Sequence, residues 1–228
     1  TVALGATTYT ITTLSPATFS GVLSGTGGFV KAGASSLTLG AINTYSGATT
    51  VTDGTLVAGA ATYAFGGSTT SVGLLTVNGG ALDAAVNATI TNAVTLGANL
   101  TFVGTANLTQ NTGAVTLTGA RTITVNGSTL TLNGGVSGAT FGLSKAGAGT
   151  LILGGVVGTT TGAVTVDAGV LKLANVNTYS GGTTLNGGTL IAGSATASFG
   201  AAAGTLTVNG GTLDASVNAA ISNPFTLN

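Results

Sequence analysis

The segment Asn43-Thr44-Tyr45-Ser46-Gly47 returns as Asn177-Thr178-Tyr179-Ser180-Gly181, at an offset of 134, and the spacing around it limits what the chain can become. Gly54-Thr55-Leu56 and Phe65-Gly66 return at the same offset, as Gly188-Thr189-Leu190 and Phe199-Gly200. Thr76-Val77-Asn78-Gly79-Gly80 returns at 131, as Thr207-Val208-Asn209-Gly210-Gly211, so three loop residues are lost between. Lys31-Ala32-Gly33 returns at only 114, as Lys145-Ala146-Gly147, so the second copy has gained a stretch between Gly147 and Asn177. That stretch, about 20 residues, is the length of one coil of a β-solenoid, whose coils stack about 4.8 Å apart and touch only their neighbours. A whole extra coil leaves every other contact intact. In a sandwich or a closed barrel the same insertion breaks register or closure.

The local period agrees. Val115-Thr116-Leu117-Thr118, Thr122-Ile123-Thr124-Val125 and Thr129-Leu130-Thr131-Leu132 alternate apolar and hydroxyl residues, as half-buried strands do. Forty glycines, many β-branched residues and breakers such as Asn126-Gly127 and Asn133-Gly134-Gly135 leave no window of helical length. The expectation is an all-β chain, a parallel β-solenoid of about 11 coils of roughly 20 residues, forming a rod on the order of 50 Å long.

Composition narrows the function. The hydrophobic share of 43% can fill a core, and a mean hydropathy of +0.61 excludes disorder. The charged residues are Lys31, Arg121, Lys145, Lys172, Asp53, Asp83, Asp167 and Asp214, a net charge of zero. No basic patch exists for nucleic acid or for an anionic membrane surface. No apolar run is long enough to cross a bilayer as a helix, so this segment is expected neither to bind nucleic acid nor to insert in a membrane. Cys is lacking, which removes disulfides and thiolate metal sites.

Val2-Ala3-Leu4 aligns with Val115-Thr116-Leu117, and Phe225-Thr226-Leu227 with Val94-Thr95-Leu96. The start carries no basic n-region of a signal peptide, and neither end carries a polar capping coil. The expected organisation is one continuous solenoid segment, residues 1–228, from a longer array whose units recur at offsets from 114 to 134.

Leu143-Ser144-Lys145-Ala146-Gly147-Ala148-Gly149-Thr150-Leu151, followed by Asn177-Thr178-Tyr179-Ser180-Gly181-Gly182-Thr183-Thr184-Leu185-Asn186-Gly187-Gly188-Thr189-Leu190, resembles the autotransporter-associated β-strand repeat. Residues 141 to 200 carry the better copy and residues 28 to 59 a looser one, with Ala48 and Asp53 in place of two glycines. The resemblance implies a right-handed parallel β-helix in a secreted bacterial passenger region, extracellular or on the cell surface. The extra coil separates motif halves that the family usually keeps adjacent.

Chemistry is sparse. Glycan-cleaving β-helices need clustered carboxylates, whereas the four Asp are scattered at roughly one per three coils. Asp83 and Asp214 share one repeat position and read as a turn or an outward strand residue. His, Cys and Glu are all lacking, so no such residue can serve as base or nucleophile. No catalytic, cofactor-binding or metal residue is expected, and the series of a calcium-binding nonapeptide repeat is not found. Lys172, between Leu171 and Leu173, is expected to face solvent. Lys31 and Lys145 are expected at turns, Asn-Gly and Gly-Gly pairs as left-handed turn residues, with Asn also able to form ladders. Tyr45 and Tyr179 belong either to a packed loop or to a sugar-stacking surface. The Thr pairs 116/118, 122/124 and 129/131 would form a water-ordering face if they aligned on one side. The functional expectation is a non-enzymatic extracellular rod, a surface fibre or matrix scaffold, whose partner is another copy or a continuation of its own array. A β-helical adhesin stalk, with cell-surface glycans as a further partner, is the alternative, and a glycan-active enzyme the weakest.

Overall fold

The computed structural model describes residues 1–67 and 73–228. Among these residues there is no helix, and all strand pairs are parallel, in short strands of two to five residues. The chain winds as a solenoid with three faces. The first face stacks Tyr9–Thr12, Phe29–Ala32, Thr49–Val51, Leu75–Val77, Val94–Leu96, Val115–Leu117 and Val136–Ser137. The second stacks eleven strands, from Ala17–Phe19 to Phe225–Leu227, which fixes the number of coils described at eleven. The third stacks seven strands, from Ala88–Ile90 to Thr212–Ala215.

Where a face has no regular strand, backbone hydrogen bonds still carry the stack. The third face continues downward through Thr44 N to Leu23 O and Gly67 N to Tyr45 O, reaching the pair Val2–Leu4 and Leu23–Gly25. The first continues upward through Thr178 N to Val157 O and Ala201 N to Tyr179 O. Coil length varies while register is kept: Leu37 pairs with Leu56, and Leu56 with Leu82 across a longer coil.

Alternation sets the core. In Thr150–Leu153 and Val170–Leu173 the second and fourth residues are buried and the third looks outward, so like side chains form inward columns such as Leu130, Leu151, Leu171 and Leu190. Each fully buried leucine contributes roughly 1.5–3 kcal/mol, and because coils touch only neighbours the core grows by equal increments along the rod. Lys172 looks outward between Leu171 and Leu173, as its neighbours dictate.

The extra coil consists of Val164–Val166 and Val170–Leu173, placed between Leu143–Ala146 and Thr183–Leu185. The two copies also differ in azimuth. Phe29–Ala32 lies on the first face and its counterpart Leu143–Ala146 on the second. Ser36–Leu39 lies on the second and its counterpart Thr150–Leu153 on the third. Val2–Leu4, in the stack of the third face, answers to Val115–Leu117 on the first. From Phe29 the first face is climbed through Thr49, Leu75, Val94, Val115 and Val136, five coils, and one further face brings the chain to Leu143. Each repeat is therefore turned by one face, a third of a turn, from the one before.

Candidate functional site

The same buried polar side chains recur in both repeats, the lysine at one corner of the coil and the asparagine at the next, with the extra coil between them in the second copy. Lys31 and Lys145 correct the sequence expectation: they belong to strands, not turns, and occupy inward columns between aliphatic residues, Ile11 and Val51 for the one, Ile123 and Val166 for the other. Only the ammonium reaches the turn. Lys31 Nζ donates to Ala32 O at 2.9 Å, Gly33 O at 2.7 Å and, in the next coil, Asp53 O at 3.0 Å. Lys145 Nζ donates to Ala146 O and Gly147 O, both at 2.7 Å, and to Ala168 O at 3.1 Å. An ammonium has three donors, and each cage supplies three carbonyls. Burial pushes Lys145 down to about 8; it also lowers Lys31, with the Asp53 charge opposing. Gly54 and Gly169 complete the cages: both have φ of +66°, and a Cβ there would fall 2.7 or 2.8 Å from the lysine Nζ.

Asn43 and Asn177 fasten three coils together. Asn43 Oδ1 accepts from Leu23 N at 2.8 Å in the coil before, and its Nδ2 donates to Ala64 O at 2.6 Å in the coil after. Asn177 does the same with Val157 N and Ser198 O, both at 2.7 Å. These asparagines are buried staples, a role that turn chemistry did not reveal. Tyr45 and Tyr179 are fully buried, and each shares a 2.7 Å hydrogen bond with a hydroxyl four residues on, Thr49 or Thr183. They pack the loop and present no ring to a sugar. Burial raises both phenols well above their ordinary range. The glycine that closes each Asn-Thr-Tyr-Ser-Gly motif is dictated by contact: a Cβ on Gly47 would lie 2.3 Å from Gly27 C, and on Gly181 2.3 Å from Thr161 O.

The carboxylates are kept apart. Asp53 Oδ1 accepts from Gly54 N, and Asp214 Oδ1 from Ala215 N, each at 2.7 Å. Asp83 looks outward between buried Leu82 and Ala84 but is covered by the next coil, accepting from Gly104 N, Thr105 N and Thr105 Oγ1. Asp167 ends a ladder in which Asn228 Nδ2 donates to Asn209, Asn209 to Asn186 and Asn186 to Asp167. Among the described residues no three of His, Cys, Asp and Glu gather in a cluster able to hold a metal. The Thr pairs 116/118, 122/124 and 129/131 lie in or beside strands of three different faces and build no shared hydroxyl plane. Arg121, which the sequence singled out only as a charge, lines a groove on the second face.

A three-faced parallel solenoid held by repeated corner staples, with its carboxylates used as local caps, has the build of a passenger-type β-helix. Residues 29–58, 143–173 and 168–192 match the passenger-associated-transport-repeat, and the matched segments are those that hold the lysine cages and the Asn-Thr-Tyr-Ser-Gly corners. The second and third matches overlap where the extra coil, ending in Val170–Leu173, parts the motif. No curated protein and no solved structure matches the chain.

Proposed function

We propose that this chain is a structural, non-enzymatic segment of an extracellular rod, a surface fibre or matrix scaffold. The observation that carries the reading is continuity: three faces run through both repeats and through the inserted coil, with the polar interior spent on fastening coil to coil. Passenger-associated repeats point to the outside of the cell, and they also favour a second reading, a stalk that displays an adhesin domain. In either reading the rod lengthens by pairing another coil, from the same array or from a second copy, against its terminal strands. The eight charged residues sum to zero, so little electrostatic repulsion opposes a coil from another copy.

The test is electron microscopy and sedimentation of the 228-residue chain beside Thr10→Arg and Ile221→Arg. Filaments one coil in cross-section, shortened by either substitution, are expected. A monodisperse monomer at high concentration, indifferent to both, removes end-to-end assembly and puts the adhesin stalk ahead. A glycan-cleaving activity lost on changing any Asp to Asn overturns the non-enzymatic reading.

A further inference from the structure

Asparagine precedes glycine at positions 78, 126, 133, 186 and 209, and each of these asparagines directly follows the last residue of a strand. Such a pair can modify itself. Glycine carries no side chain to hold its nitrogen back, so that nitrogen reaches the asparagine Cγ and closes a five-membered ring, provided that the amide is free to swing over it and the N–H is unspent. The pairs share a sequence, so the coils above and below decide which of them can react.

Four are held. Asn186 Nδ2 donates to Asp167 Oδ1 while its Oδ1 accepts from Asn209 Nδ2, both at 2.8 Å, and Asn209 Oδ1 accepts in turn from Asn228 Nδ2 at 2.6 Å. The nitrogens that would attack are spent as well, Gly187 N on Val166 O at 3.3 Å and Gly210 N on Leu185 O at 3.4 Å. Gly134 N, which follows Asn133, donates to Gln110 Oε1 at 3.0 Å, and Asn133 Oδ1 fills the space where a Cβ on Gly154 would stand. Asn78 Oδ1 is seated over Gly97 in the same way.

Asn126 is not held. Its side chain is exposed, and among the described residues neither its amide nor Gly127 N has a hydrogen-bond partner. The chain is anchored only on either side of the pair, where Asn126 N donates to Phe102 O and Ser128 O accepts from Thr150 N, both at 3.0 Å. The residue after the pair is left-handed at four of the corners: Gly80, Gly188 and Gly211, with φ of +66°, +75° and +86°, and Ser128, with φ of +47°. Only Ser128 carries a Cβ there, so the corner with the free amide is also the strained one.

We propose that Asn126 is a self-modifying site, at which Gly127 N attacks Asn126 Cγ and the side-chain amide becomes a carboxylate. The Gly127 N–H proton passes to hydroxide, the N–Cγ bond forms, and the Cγ–Nδ2 bond breaks, Nδ2 leaving as ammonia once it has taken a proton from water. Water then opens the cyclic imide at either carbonyl. One opening gives aspartate, and the other gives isoaspartate, with the backbone routed through the side chain. The balance is one water in and one ammonia out, with neither oxidant nor enzyme. The product puts an unbalanced negative charge on a chain whose eight charged residues cancel. It also stands beside a lysine cage: Asn126 Oδ1 lies 3.1 Å from the position of a Cβ on Gly147, whose carbonyl holds the Lys145 ammonium.

The experiment keeps the folded 228-residue chain in mildly alkaline buffer beside the same chain unfolded in urea, and samples both by isoelectric focusing and peptide mass spectrometry. The folded rod is expected to gain one acidic species, a mixture of aspartate and isoaspartate at 126, with the four held pairs slower by about tenfold or more because they react only after local opening. The unfolded chain should react at all five. Asn126→Gln, at an exposed position and too long to close the five-membered ring, should abolish the first acidic species. Acid forming first at another pair, equal rates at all five in the folded rod, or no acid at 126 while the unfolded chain reacts, overturns the site. Acid at 126 without isoaspartate overturns the route through the imide.

Discussion

At the scale of single residues, stability in this rod is concentrated at the polar corners. Asn177→Ala would leave the Val157 N–H and the Ser198 carbonyl unpaired in the interior. Two such groups cost on the order of 2–6 kcal/mol, far more than the net worth of two ordinary surface hydrogen bonds. Urea unfolding of Asn177→Ala, compared with Asn111→Ala at an exposed position, reads this out, and equal midpoints would remove the staple role. The buried lysines and tyrosines give the stability a particular pH profile. Lys145 binds its proton less tightly folded, near 8, than unfolded, near 10.5, so the unfolded chain holds more protons between these values and stability rises through that window. Lys31 acts in the same direction. Tyr45 and Tyr179 keep their protons when folded, while the unfolded phenols ionise near 10, so above that pH stability falls. The melting temperature is expected to climb from pH 8 to about 10 and then to drop, and in Lys145→Met the climb should shrink. A flat profile across that window would show that the three-carbonyl cage fully offsets the cost of burying the ammonium.

At the scale of the element the unit is the coil. Leu153 pairs with Leu173, so removing residues 154–173 brings Leu153 into the position of Leu173 and restores the arrangement of the first repeat, in which Leu39 leads through Gly40 and Ile42 to Asn43. That variant should fold, with a thermal midpoint within a few degrees of the parent, because nearest-neighbour contacts above and below are re-formed. Removing 154–163 alone leaves a partial coil and should unfold the region around it. Circular dichroism and thermal melts distinguish the two, and equal loss of structure in both would refute the coil as the unit. This extra coil was legible in the sequence, because a gain of one coil's length has only one cheap place to go in a stack. The outward Lys172 was legible too, since its leucine neighbours fix the side of the strand it occupies. The inward Lys31 and Lys145 were not: a lysine before Ala-Gly looks like a turn residue, and only the next coil's carbonyls explain its burial. Asn43 and Asn177 were hidden for the same reason, their partners lying one coil away on both sides.

At the scale of the whole molecule, repeat counting gave the length of the rod but not its orientation. An offset of 114 does not disclose that it spans five coils and one face, because the number of strands per coil is fixed only by how each coil closes on itself. That fractional turn gives the rod a phase. The lysine cage reappears about 26 Å along the axis and the Asn-Thr-Tyr-Ser-Gly corner, past the extra coil, about 30 Å along it, each about 120° around, so the motif traces a staircase with three landings. Rods lying side by side could meet through whichever flank happens to face a neighbour, and packing would spread in every lateral direction instead of forming a ribbon. For a probe that grips one landing, such as an antibody to the first corner, the second copy stands on a different side of the rod, and both can be occupied at once without collision.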